Sequence, residues 1–219
     1  MAGRHTFNEE LQNLHRDLLS MGSLVEKAIH LSVKSLAERD SALAEKVIQD
    51  DDEIDELNLT IERNCFRLIA LQQPMATDLR RIGTVLKVVT DLERMADNAV
   101  SIAKSTIRLK EETYIKQLID IPKMAALAEA MVRDALNAYI NLDTEKAYQI
   151  GRNDDEVDSL YKKIHNELLD IMKKDSEAVN QATQFLFVAH SLERIADHAT
   201  NLGEWVIYLV TGKIVEINQ

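Results

Sequence analysis

The chain of 219 residues contains few residues that interrupt helices: six glycines and two prolines. These two types together make up about 12% of an average protein, so their scarcity favours long helices. The single cysteine, Cys65, excludes an internal disulfide. Aromatic residues are scarce as well, at 5%. The longest apolar runs, such as FLFVA and WVIYLV, are far shorter than the roughly 20 residues of a transmembrane helix, so no membrane span is expected.

Positive charge is also in the minority. Lysine and arginine total 26 against 37 aspartates and glutamates, which gives a net charge of -11. Such a surface repels phosphate backbones, and no basic stripe is present to overcome that repulsion. Nucleic acid is therefore not an expected partner. The first residues, MAGRHTFNEE, lack the basic and apolar regions of a secretory signal, so we expect a cytoplasmic protein.

The sequence contains an internal repeat. The segment LKVVTDLERMADNAVSIAK (86–104) aligns without gaps to LFVAHSLERIADHATNLGE (186–204). Upstream, DDDEIDEL (50–57) aligns to NDDEVDSL (153–160) in the same order. A chain in which the order of motifs occurs twice is a duplicated structural unit.

Helical start and stop signals divide each copy into three helices. The first helix is predicted to begin at Thr6, with Glu9 completing a capping box, and to end near residue 38. Further helices are predicted over 41–72 and 74–109, from Pro122, after Asp143, and from Ser176 to about Val210. The prediction is an all-α fold of two tandem, pseudo-symmetric antiparallel three-helix bundles, six helices in total. The first repeat covers 6–109, a linker 110–121, the second repeat 122–210 and a tail 211–219.

The third helix of each copy has an apolar seam with alternating steps of three and four residues. Such a seam packs against neighbouring helices. In the first copy it comprises Ile82, Val85, Val89, Leu92, Ala96, Ala99, Ala103 and Thr106, and in the second Ala182, Phe185, Ala189, Leu192, Ala196, Ala199, Gly203 and Val206.

Two acidic pairs in each copy are predicted to meet. If helices two and three turn near Gln73, the midpoints of their acidic pairs lie about 20 residues before and about 22 residues after that turn, hence at one height. The second copy has nearly the same spacing. The first acidic cluster comprises Asp51, Asp55, Glu93 and Asp97, and the second acidic cluster comprises Asp154, Asp158, Glu193 and Asp197.

Carboxylates brought together in this way need positive charge, because like charges one helical turn apart repel by about 0.2 to 0.5 kcal/mol. Oxygen-only clusters suit hard divalent or transition metal ions, so Mg, Mn or Fe is the predicted cofactor. The alternative is that the acids are solvated or paired with Arg94 and Arg194. Asn98 and His198, next to the motif aspartates, are candidate accessory ligands, although a structural role is favoured for His198.

No catalytic residue is predicted. The sequence lacks a glycine-rich phosphate loop, a G-x-S-x-G motif and a cysteine-histidine arrangement. A di-iron oxygenase has Glu-x-x-His, whereas His190 precedes Glu193 here and Thr90 stands at the matching position of the first copy. Two alternatives to a metal-binding regulatory protein stay open. One is an enzyme, a carboxylate-bridged metal hydrolase or oxidase, and the other is a helical scaffold that binds no metal.

The chain resembles the PhoU family of phosphate-uptake regulators. The resemblance rests on LERMADNA and LERIADHA, on DDEID and DDEVD, and on PMATDLR (74–80), and it extends from about Phe7 to Tyr208. The second copy departs from the pattern because it lacks the proline before its third helix and has His198 where the first has Asn98.

The resemblance implies a function that composition and spacing do not reveal. It implies a cytoplasmic protein that binds metal ions through its acidic motifs, forms a homodimer and is not an enzyme. It further implies a negative regulator of phosphate uptake and phosphate-starvation signalling. As an adaptor, it is expected to link a phosphate ABC transporter to a membrane sensor histidine kinase.

Overall fold

The structure is a computed structural model that describes the backbone of residues 2–218 and the side chains of residues 5–218. Its six α-helices confirm the predicted all-α fold, and no strand occurs among these residues. The helices are α1 (Ala2–Glu38), α2 (Ser41–Gln72), α3 (Thr77–Arg108), α4 (Asp120–Asn141), α5 (Thr144–Lys174) and α6 (Val179–Thr211). Within the described chain, none of them is long and apolar enough to cross a bilayer.

Two predicted helix starts in the first repeat are wrong. Helix α1 begins at Ala2 and continues through Thr6, so Thr6 is not its N-cap. Helix α3 begins three residues after Pro74, because Gln73 and Ala76 both have positive φ angles, of 45° and 48°. These two residues with positive φ form the turn, and Gln73, in the left-handed helical conformation, closes α2 by donating its N–H to the Ile69 carbonyl at 3.2 Å.

The second repeat shows smaller departures from prediction. Helix α4 begins at Asp120, which places Pro122 in the first turn, where a missing N–H leaves no bond unmade. Helix α6 begins at Val179 rather than near Ser176, because the Asp175 carboxylate accepts the Glu177 N–H at 2.9 Å and holds a turn there.

The same cap begins the second helix of each repeat. Asp40 has an extended backbone and its Oδ1 accepts the Leu43 N–H at 2.9 Å. Asp143 does the same for α5, accepting the Lys146 N–H at 3.0 Å. Each cap satisfies an N–H that has no partner within the helix and contributes about 1 kcal/mol.

Both third helices are buried along the predicted seams. Every seam residue of α3 and α6 is buried, and α3 also buries a second stripe that includes Asp91, Met95 and Ile102. The second stripe exists because α3 and α6 pack on each other in antiparallel orientation. Near one end of this contact, Arg108 donates to the Gln184 side chain at 3.3 Å. One continuous core therefore joins the two bundles.

The segment between the bundles is held in place by hydrogen bonds to both repeats. The Tyr114 hydroxyl donates to the Leu36 carbonyl at 2.7 Å, and the buried Gln181 amide accepts from Ile115 N and donates to Glu112. Cys65 is fully buried on α2, and burial raises the pKa of its thiol to about 12. Such a thiol is a packing residue, as its seam position predicts.

Candidate functional site

The first acidic cluster forms where α2 and α3 pack side by side. The pKa of Asp51 is raised from 3.8 to about 6, first by burial and then by the charges of Asp55, Asp97 and Glu93 among its neighbours. The four carboxylates therefore lie within electrostatic range of one another. This arrangement agrees with the register of the α2–α3 hairpin, which puts the two pairs at one height.

Arginine offsets part of the repulsion on α3. Arg94 Nε lies 3.4 Å from Glu93 Oε2, and one of its terminal nitrogens lies 3.6 Å from Asp97 Oδ2. Even so, the pKa of Glu93 is raised, first by burial and then by Asp97. Arg94 is half exposed, so water screens its charge and the cluster keeps a net negative potential.

Glu62 is a further acidic residue at this cluster that sequence reasoning missed. Its charge raises the pKa of Glu93 from the neighbouring helix α2. It lies seven residues, two helical turns, after Asp55, so it belongs to the same face. That spacing was a usable signal, but Glu62 stands outside the DDEID motif.

Three of the four predicted members of the second acidic cluster, Asp154, Asp158 and Asp197, interact between α5 and α6, whereas the fourth, Glu193, pairs with His190. The pKa of Asp154 is raised from 3.8 to about 6, first by burial and then by the charges of Asp197 and Asp158. The pKa of Asp197 is also raised, by burial and by Asp158, while His198, Arg194 and His190 lower it. Asp154 is only 8% exposed, so its carboxylate is the most enclosed of the eight.

Glu193 lies in more aromatic surroundings than the other members. His190 Nδ1 donates to Glu193 Oε2 at 3.0 Å, and the Tyr161 ring lies 6.3 Å from the His190 ring. The charge of Glu193 contributes to a raised pKa of Tyr161, after burial. In the first repeat Asn58 stands at the position of Tyr161 and Thr90 at that of His190, so the residues beside the two clusters differ.

His198 contacts the other repeat. Its Nδ1 donates to Asp91 Oδ1 on α3 at 2.9 Å, and Asn201 donates to the same oxygen at 3.3 Å. Asp91 is 8% exposed and was missed by sequence reasoning, because its partners come from the opposite repeat. His198 Nε2 is buried and has no hydrogen-bond partner among the described residues. His198 thus makes a structural contact between the two repeats.

Asn98, the counterpart of His198 in the first repeat, bonds within its own helix. Its Nδ2 donates to the Arg94 carbonyl at 2.7 Å. The side chain therefore lies over the preceding turn of α3. The two predicted accessory residues therefore make different contacts: Asn98 bonds within α3, whereas His198 bonds to the other repeat.

The carboxylates have the oxygen donors that a divalent cation requires, but their side chains do not converge on one point. Oxygen donors with mutually raised pKa values suit hard cations. Among residues 5–218, however, no three Asp, Glu, His or Cys side chains converge closely enough to hold one ion. Cation binding at either cluster thus requires side chains to rotate toward a common point, which half-exposed carboxylates can do at small cost.

A cavity of about 560 Å³ lies apart from both clusters, where α1 meets the ends of α4 and α6. Leucine side chains line it together with Arg81, His15 and Tyr139, and the Tyr139 hydroxyl lies 2.6 Å from His15 Nδ1. Burial and the nearby Arg81 lower the pKa of His15. None of the eight predicted site residues lines this cavity.

The internal repeat is also found when the chain is compared with known proteins. The model of the PhoU domain matches the chain twice, over residues 18–106 and 121–206. A Clostridium acetobutylicum protein named phosphate-specific transport system accessory protein PhoU homolog is 48% identical over 98% of this chain and 99% of its own length. A Pseudomonas aeruginosa protein of the same name is 38% identical over 94% of this chain and 86% of its own.

Solved structures show the same architecture. The crystal structure of PhoU from Pseudomonas aeruginosa superposes with a TM-score of 0.92 at 38% identity, over 94% of this chain and 100% of that one. The phosphate transport system regulatory protein PhoU from Streptococcus pneumoniae gives 0.89 at 33% identity, over 95% and 99%. With both repeats matched and nearly the whole length shared, the chain belongs to the PhoU family.

Proposed function

We propose that this protein is a regulatory accessory protein of phosphate uptake that binds divalent cations at its two acidic clusters. The names of its relatives support the role in phosphate transport. The cation-binding part is supported by one observation above all. Interacting carboxylates occur at equivalent places in both repeats, and in each repeat one aspartate, Asp51 or Asp154, has a pKa raised to about 6.

The proposed mechanism is electrostatic. Cations neutralise the acids that face each other across α2 and α3 and across α5 and α6, and so allow each helix pair to hold one geometry. Asp51 and Asp154 lie at the enclosed side of the clusters and would anchor the ion, while the outer carboxylates rotate inward. A surface whose charge depends on cation occupancy can in turn control partner binding, since electrostatic complementarity governs encounter and specificity.

The proposed partners are the cytoplasmic subunit of a phosphate ABC transporter and a membrane sensor histidine kinase. In this role the protein works in the cytoplasm as a homodimeric adaptor, is not an enzyme, and restrains both phosphate uptake and starvation signalling. Family membership supports these partners. The net charge of -11 supports a protein partner over nucleic acid.

The cation proposal is tested by metal content. Glu93→Ala with Asp97→Ala should lower the metal retained after gentle purification, because two of four ligands of the first cluster are lost. The matched control is Glu53→Ala with Glu56→Ala, which removes two exposed carboxylates from α2. Equal metal content in the two double variants would refute the assignment of the site.

Partner binding and catalysis are tested in the same variants. Capture of the transporter subunit and of the kinase from cells should weaken when a chelator is added, and capture that ignores the chelator would favour the metal-free scaffold. Turnover of a phosphate ester or of peroxide with Mn²⁺ or Fe²⁺, lost in Glu93→Ala with Asp97→Ala, would instead establish the carboxylate-bridged enzyme.

A further inference from the structure

Residues 213–218, here called the strap, follow α6 and fold back over the second repeat. Gly212 permits the reversal because its φ of +74° is strained for residues with a side chain. The strap has no regular secondary structure: Val215 and Ile217 are half-buried against the core, whereas Ile214 is 80% exposed. Such alternation is typical of a chain bound along a surface rather than free in solvent.

Two hydrogen bonds hold the far end of the strap. The Ile217 N–H donates to Glu204 Oε1 on α6 at 3.0 Å. The Asn218 side-chain amide donates to Asp154 Oδ2 on α5 at 2.5 Å. The strap thus crosses from α6 to α5 and ends on the most enclosed carboxylate of the second acidic cluster.

Two glycines form the groove in which the strap lies. A Cβ at Gly151 would lie 2.7 Å from the Ile217 carbonyl oxygen and 3.1 Å from Asn218 Oδ1. A Cβ at Gly203 would lie 3.3 Å from the Ile217 side chain. The first distance is too short for any side chain, and the obstructing atom belongs to the backbone of the strap. The absence of a side chain at Gly151 is therefore a requirement for this close approach.

The first repeat cannot form the same groove. Ile48 aligns with Gly151 and would fill the floor, and Lys104 aligns with Glu204. An ammonium group is a donor only, so Lys104 has no acceptor for a backbone N–H. The groove is thus specific to the second repeat, although the acidic motifs themselves are duplicated.

We propose that the strap is an intramolecular ligand that closes the second acidic cluster to cations. A cation at Asp154 needs the oxygen that the Asn218 amide occupies, and the positive end of that amide repels it. No segment of the described chain covers the first cluster in this way, so the two clusters load in order, the first before the second. Loading of the second cluster then releases the strap. This inference rests on the proposed function, that the clusters bind cations.

The coupling between strap and cation is reciprocal by thermodynamic necessity. A strap that closes the site nine-tenths of the time weakens cation binding there about tenfold. Conversely, a bound cation shifts the strap toward its released state. Cation binding at the second cluster would thus release the strap and expose the groove lined by Gly151, Gly203 and Glu204.

Gly151→Ala is the decisive variant, and Gly83→Ala is its matched control. Both place alanine in the middle of a helix, where it favours helix formation by about 0.5 to 1 kcal/mol. A Cβ at Gly83 meets nothing within 4 Å, whereas a Cβ at Gly151 collides with the strap. Asn218→Ala, on an exposed residue, removes only the amide that contacts Asp154 and cannot disturb helix packing.

The first measurement is hydrogen exchange of the Ile217 amide without cations, checked for intact helix content by circular dichroism. Wild type and Gly83→Ala should protect this amide, and Gly151→Ala should lose the protection by about tenfold or more. Equal exchange in Gly151→Ala and Gly83→Ala, or no protection in wild type, would overturn the closed strap.

The second measurement is Mn²⁺ titration in a background of Glu93→Ala with Asp97→Ala, where the second cluster remains. Gly151→Ala should bind Mn²⁺ about tenfold more tightly than Gly83→Ala, with Asn218→Ala between them. Mn²⁺ should also accelerate Ile217 exchange. If Gly151→Ala loses the protection of Ile217 but binds Mn²⁺ with the same affinity as Gly83→Ala, the inference is overturned and the proposed function is left intact. Absence of Mn²⁺ binding by the wild-type protein would instead refute the proposed function, and with it any control of cations by the strap.

Discussion

Asp51→Asn should stabilise this protein when cations are absent, although it alters a predicted ligand. Burial and neighbouring acids raise the pKa of Asp51 from 3.8 to about 6. The folded state therefore holds the proton more tightly than the unfolded state does. Below pH 3.8 both states are protonated and the carboxyl costs nothing. As the pH rises from 3.8 to about 6 the unfolded chain loses this proton while the folded protein keeps it, so stability falls, and above about pH 6 the loss is complete.

The size of the effect follows from the shift. A shift of about 2 pKa units at 1.36 kcal/mol each is about 3 kcal/mol, and solvent screening at this half-buried position reduces the expected gain to about 1 to 3 kcal/mol. Asparagine keeps the shape and removes the charge. For a chain of this size, 1 kcal/mol corresponds to about 2 to 4 °C in Tm.

The assay is thermal unfolding of Asp51→Asn and of Asp52→Asn, an exposed neighbour on the same helix. In chelator at pH 8, Asp51→Asn should gain clearly more than Asp52→Asn, and the gain should vanish near pH 3.5. With saturating Mn²⁺ the sign should reverse, because only the wild-type protein keeps the full stabilisation by a bound ligand. Equal stability of the two variants at pH 8 in chelator would refute the reasoning.

Three further predictions concern stability and are checked by urea unfolding at pH 7. Asp40→Ala and Asp143→Ala should each cost about 1 kcal/mol, because each removes the same helix cap in its own repeat; a cost in one repeat alone would contradict their equivalence. Asp91→Ala should cost about 1 to 3 kcal/mol, since it leaves the His198 N–H without its acceptor in the contact between repeats, and a neutral result would contradict that pairing. Phe185→Ala should cost about 3 to 5 kcal/mol by opening a cavity in the fully buried core of α6; a loss below 1 kcal/mol would mean that the core collapses around it.

The placement of the acidic pairs at one height on neighbouring helices was predictable because it depends on local geometry. Asp51 and Asp55 are one helical turn apart, and Glu93 lies on the next helix at a similar distance from one short turn. A rise of about 1.5 Å per residue then fixes their heights without knowledge of the rest of the fold. The errors at Thr6 and Pro74 are errors of helix ends, where a few backbone angles decide the boundary.

The features that escaped prediction depend on contacts between distant segments. Asp91 is a polar residue on a buried stripe of α3, and only the packing of α6 supplies its partners His198 and Asn201. The strap is a further case, because six residues of modest hydropathy do not indicate where they bind. Gly151, which admits the strap, is one glycine within a helix until the tertiary structure shows what approaches it.

By itself, the sequence determined the duplicated unit, the six helices, the seams of α3 and α6 and the equal heights of the acidic pairs on neighbouring helices. All of these follow from periodicity and from the short hairpin turns that fix helix register. Only the tertiary structure decided that α3 and α6 share one core, that Asp91 pairs with His198, and that residues 213–218 cover Asp154. These depend on which surfaces meet, and that choice is made by packing of the whole chain rather than by any one segment.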